Sequence, residues 1–148
     1  MTIGDWNKKF GWIWLLIGPL MGLYMTGQFR VDPAYTALRE QVMIAGQNLT
    51  LYMGEGTLRA SNRLLHAHSA LLALLNIVYG MSIDNVPLLD KTKKLGSILA
   101  IAGAILVTLA SFVSQVALLS DLGFPFRVLG GTSVVVAIIM LAVGELKK

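Results

Sequence analysis

Long apolar runs alternate with short polar segments along the chain. The runs cover residues 10–27, 63–83, 95–120 and 127–144. Each is roughly 17–25 residues, the length a helix needs to cross a bilayer. The pattern predicts an all-α integral membrane four-helix bundle, one transmembrane domain over residues 1–148. No small-x-small cleavage site follows the first run, so it is read as a retained span. Pro19 is expected to kink it, and Trp12 and Trp14 suit a membrane interface.

The polar segments predict the rest. Residues 1–9 read as a short polar start. Residues 28–62 form the long outer loop. Within it, Asp32-Pro33 is a helix start signal, while Gly46 and Gly54-Glu55-Gly56 are expected to break the later part of the segment. Residues 84–94 read as a short loop and 121–126, DLGFPF, as a tight turn. Four spans put both termini and the loop at 84–94 on one side, with Lys8, Lys9, Lys91, Lys93, Lys94, Lys147 and Lys148. Short lysine-dense segments orient a chain, so both termini are expected in the cytoplasm of a bacterial-type inner membrane.

Composition agrees with this pattern. Of 148 residues, 55% are hydrophobic and 14% charged, and the mean hydropathy is +0.70. A soluble domain carries about 25% charged residues. The net charge of +4 is no nucleic-acid signal, because the basic residues flank apolar runs instead of forming a stripe. The chain has no cysteine, which excludes iron–sulfur and thiolate-haem ligation.

Candidate chemistry centres on the two histidines, His66 and His68, just inside the second run. An ionisable or ligating residue within a span is a functional-site hypothesis by default. The topology sets their level beside Met21, Tyr24, Met25, Ser111, Ser114, Gln115, Arg127, Thr132 and Ser133. Polarity near the opposite end is limited mainly to Asn76 and Tyr79. Two residues along a helix are about 200° apart, so the histidines cannot both grip one metal. His66 shares its face with Ser69, Ala70, Ala73, Ile77 and Gly80. These small residues admit another helix or a flat cofactor. His68 shares its face with Leu71, Leu72, Leu75 and Tyr79.

Haem bound by one of them is the leading chemistry, with Met21, Met25 or a neighbouring subunit available for the opposite iron position. Zinc wants three or four protein ligands, more than the chain offers. Proton relays use chains of Asp, Glu and His, which are missing here. No serine elbow or phosphate loop is present. A cofactor-free structural or transport bundle is the plain alternative.

Ala67-His68-Ser69, in a second span after a long loop, resembles the Ala-His-Ser of the styrene oxide isomerase family. Asp90-Lys91-Thr92 followed by Leu95-Gly96-Ser97-Ile98 resembles that family's loop and third-span entry. Arg63-Leu64-Leu65-His66 is similar to the haem histidine helix of the haem–copper oxidase superfamily and of small four-span proteins with a His-x-His helix. Both resemblances imply haem b on this span. The Ala-His-Ser match selects His68, whereas the oxidase-like match and the distance to Asp90 select His66. The first resemblance further implies a trimer with haem near subunit interfaces. It also implies a small apolar epoxide substrate, opened to a carbonyl product by haem iron as Lewis acid. Ser69 is then a cofactor neighbour and Asn76 a catalytic candidate. Asn76 lies later than that family's asparagine, and the third span lacks its tyrosine. The second resemblance implies an electron-transfer or accessory subunit instead.

Overall fold

A computed structural model describes residues 1–31, 49–113 and 120–148, with side chains for 1–20, 23, 66–111, 113 and 122–148. Among the described residues the fold is all-helical. It comprises α1 (Ile3–Val31), α2 (Leu49–Ser82), α3 (Asp90–Val113) and α4 (Ser120–Glu145), with one 3-10 turn at Ile83–Asn85 before α3. Three segments, His66–Asn85, Asp90–Ser111 and Leu122–Glu145, are long and apolar enough to cross a membrane.

The helices outrun the apolar runs. α1 begins at Ile3, within the stretch expected to be a polar start. Its first turn is capped twice. The Thr2 N–H donates to the Asp5 carboxylate at 2.7 Å, the reciprocal arm of a capping box. The Gly4 N–H donates to the Asp84 carboxylate, 3.1 and 3.2 Å from its two oxygens. Asp84 thus satisfies an otherwise unbonded donor and places negative charge at a positive helix end. Asp5 also pairs with Lys8 at 2.7 Å. That pairing, helped by the Thr2 N–H, pushes the Asp5 carboxyl down to about 2. The Asp5–Lys8 pair therefore keeps both charges until strongly acidic pH.

Two expected breaks are helical. α2 runs unbroken through Gly54-Glu55-Gly56. A glycine costs a helix about 1 kcal/mol, which a long helix can absorb. The segment expected to be a tight turn at 121–126 is the start of α4, with Pro125 as its sixth residue. Just past the first turn, the proline forfeits one bond of the helical ladder, to the carbonyl four residues back, without ending the helix. The loop expected at 84–94 is also shorter, because α3 starts at Asp90.

α1 and α2 are antiparallel and meet through a glycine seam. Gly4 lies against Gly80, Gly11 against Ala73 and Ile77, and Gly18 against Ser69 and Ala70. Seven residues are nearly two helical turns, so the three glycines share one face. α3 and α4 meet likewise: a Cβ added at Gly103 would lie 2.7 Å from the Gly130 carbonyl oxygen. Between the pairs, Leu72 of α2 packs with Ala104, Val107 and Val134. Tyr79 packs with Ile83, Val86, Ala100 and Ala137. The start of α1, the end of α2, the start of α3 and the end of α4 share one end of the bundle. There Asp84 meets Gly4, Lys93 donates to the Asp84 carbonyl at 3.1 Å, and Gly144 abuts Val86 and Leu88. All seven lysines of the chain belong to the segments at this end.

Candidate functional site

The two histidines lie on different faces of α2. His66 Nδ1 lies 2.9 Å from the Gly18 carbonyl oxygen of α1. A carbonyl only accepts, so Nδ1 is the donor here, and in the neutral ring Nε2 is the nitrogen with the free lone pair. The ring stands at the end of the glycine seam, and the residue is exposed. His68 is half-buried, engaged in an interaction of its own, and continues the stripe of Leu72, Leu75 and Tyr79. Leu72 and Tyr79 are buried against α3 and α4.

The small-residue face of α2 receives a helix. Ser69, Ala70, Ala73, Ile77 and Gly80 are the residues that α1 covers. Ser69 is buried, faces Gly18, and its hydroxyl donates to the His66 carbonyl at 3.0 Å. It therefore braces the turn that carries His66. Asn76 is ten residues further along α2, about 15 Å at 1.5 Å per residue, so it belongs to a different level of the bundle.

The level expected to gather polar groups around the histidines is sparsely polar among the described side chains. Ser111 donates to Val107 O at 3.2 Å and Ser133 to Leu129 O at 2.8 Å, each within its own helix. Thr132 and Arg127 are exposed. Met21, Tyr24, Met25, Ser114 and Gln115 lie outside the described side chains. No three His, Asp or Glu side chains come together among the described residues.

Buried polarity gathers instead nearer the lysine-rich end. Asn7 of α1 donates to the Asn76 side-chain oxygen at 3.0 Å and to the Ser97 carbonyl at 3.3 Å. Asn76 donates to Leu72 O at 3.0 Å and Ala100 O at 3.3 Å. The pair thereby ties α1, α2 and α3 together. Tyr79 completes the cluster, with its hydroxyl packed on Gly96. Asn7 is the member that hydropathy missed, because it precedes the first apolar run. The seven-residue spacing of Gly4, Gly11 and Gly18 was the signal that the helix already covers it.

Asn76→Ala strips a donor pair from two carbonyls and orphans one Asn7 contact. The expected loss is about 1–3 kcal/mol of stability. Because the two amides share one bond, Asn7→Ala with Asn76→Ala is expected to cost less than the sum of the single changes. Denaturant titration of the four proteins measures this, and strictly additive values would reject the coupling.

Comparison of the chain with protein-family profiles, curated proteins and solved structures returns no match.

Proposed function

We propose that the chain is a haem b protein of the bacterial-type inner membrane, with four spans, both termini cytoplasmic and His66 as the residue that would hold the iron. The observation that carries the reading is the His66 Nδ1 contact to Gly18 O at 2.9 Å. Ligating histidines almost always donate their other ring N–H to a carboxylate, carbonyl or water. The bond selects the tautomer, orients the ring and leaves Nε2 as the ligating atom. The carbonyl acceptor also makes the imidazole a better donor to a metal. One or two protein ligands suffice for haem, so the lack of a three-residue cluster among the described residues is no obstacle.

The membrane part rests on where apolar surface lies. The window Leu122–Glu145 has mean hydropathy 2.2, and only 17% of it is buried in the bundle. Val128, Leu129, Val135, Ile138 and Ile139 are all exposed. Contiguous apolar surface of this kind needs lipid or another subunit against it. The exposure of His66 suits a haem shared at the boundary between copies of the chain, as the resemblance to the styrene oxide isomerase family implies.

When bound, ferric haem would supply a Lewis-acid site for the oxygen of a small apolar epoxide. The chain's part would be to hold the His66 imidazole in place through Gly18 O and Ser69. Asn76 and Tyr79 hold the helices together at a remove from His66, so the proposal gives Asn76 no contact with substrate.

The absorption spectrum of the purified protein is the direct test. The proposal expects a Soret band and about one haem b per histidine site by pyridine haemochrome. Its absence after expression with ample haem supply ends the reading in favour of a cofactor-free bundle. A six-coordinate spectrum without epoxide turnover would leave haem in place and remove the isomerase.

A further inference from the structure

At the lysine-rich end, a cleft of about 360 Å³ opens between the α2–α3 connection, the first turn of α3 and the last turns of α4. Leu88, Leu89, Ile139 and Val143 wall it with hydrocarbon, and Thr92 and Lys147 add a hydroxyl and an ammonium. No carboxylate lines it. Two neighbouring lysines are committed elsewhere. Lys148 pairs with Glu145 at 2.7 Å and Lys93 donates to the Asp84 carbonyl. Thr92 is the third residue of α3, where first-turn N–H groups lack partners within the helix and favour an anion. Asp90 shares that turn but does not line the cleft. The mouth is apolar: Leu89 is 78% and Ile139 54% exposed.

We propose that this cleft seats an anionic glycerophospholipid of the cytoplasmic leaflet. The phosphate meets Lys147 and the Thr92 hydroxyl, and an acyl chain lies along Ile139 and Val143. Charge alone would suit any phosphate. The apolar walls, continuous with the exposed face of α4, select one that carries hydrocarbon. Basic clefts between spans on the cytoplasmic side bind such headgroups. The inference rests on the membrane and orientation parts of the proposed function and is independent of haem.

Native mass spectrometry of the full chain, released from nanodiscs of phosphatidylcholine with or without phosphatidylglycerol, tests it. The expected result is preferential retention of phosphatidylglycerol. Lys147→Ala with Thr92→Val is expected to weaken that retention at least about fivefold, while Lys148→Ala leaves it unchanged. Equal retention of both lipids overturns the site, as does equal loss in the Lys148 and Lys147 variants, which would mean diffuse charge only. Displacement of the lipid by inorganic phosphate alone would make it a phosphate site and also overturn the proposal. Recovery of the chain in the soluble fraction would instead overturn the membrane reading, and this site with it. Insertion without lipid preference removes the lipid site alone.

Discussion

Gly11→Ala is expected to destabilise the bundle by about 1–2 kcal/mol, whereas Gly131→Ala is expected to leave it unchanged or stabilise it. The two substitutions are chemically identical, and both positions lie within helices. Helix propensity alone favours alanine at each by about 1 kcal/mol. Their surroundings differ. At Gly11 a Cβ would sit 2.6 Å from Ile77 Cγ1, 2.7 Å from the Ala73 carbonyl oxygen and 3.0 Å from the Ile77 nitrogen. Two of those atoms are α2 backbone, so relief requires the helices to part. Overpacking of this kind costs about 1–3 kcal/mol, and parting the helices would also loosen the His66–Gly18 and Asn7–Asn76 contacts. At Gly131 nothing stands within 4 Å. Reversible unfolding of both variants in detergent, followed by circular dichroism, measures the difference. Equal stabilities would mean that the α1–α2 seam is looser than described.

His66→Ala is expected to abolish haem binding, with loss of the Soret band, while His68→Ala retains it. The asymmetry comes from the partners of each ring. His66 has its Nδ1–H fixed on a backbone acceptor, which cannot be removed by side-chain mutation. His68 lies on the stripe that packs toward α3 and α4 and is already engaged. Its loss is expected to cost packing, read as a lower unfolding midpoint, and not the ligand. Haem content per chain, with helicity as the folding control, distinguishes the cases. The opposite outcome would transfer the ligand to His68 and agree with the Ala-His-Ser resemblance. Retention by both variants would dismiss histidine ligation on this helix.

Much of the fold was legible because hydropathy and helical period are local properties. The three segments long and apolar enough to cross a membrane fall at three of the expected runs. The antiparallel order comes from short connections such as the one after Ile83. Helix ends were less legible. Length arguments see the apolar run and stop where charge begins, yet α1 continues back to Ile3 because Thr2, Asp5 and Asp84 satisfy its first turn. α2 continues through Gly54 and Gly56 for a related reason: glycine weakens a helix without ending it.

The candidate site was legible only in part. Helix geometry sufficed to set His66 and His68 on opposed faces, because that depends on residue spacing alone. It could not say that α1 takes the small-residue face, nor that Gly18 supplies the carbonyl to His66. Those contacts join residues 48 positions apart. The same limit hid the Asn7–Asn76 bond, made across 69 positions.

By itself, then, the sequence determined a helical chain with long apolar runs, lysines confined to the segments that flank them, and two histidines on different sides of one helix. Only the tertiary structure decided which surfaces meet. Close approach of two helices requires matched gaps on both, as Gly4 finds Gly80 and Gly11 finds Ala73. Such a match is a property of the pair, and no pattern along a single helix contains it.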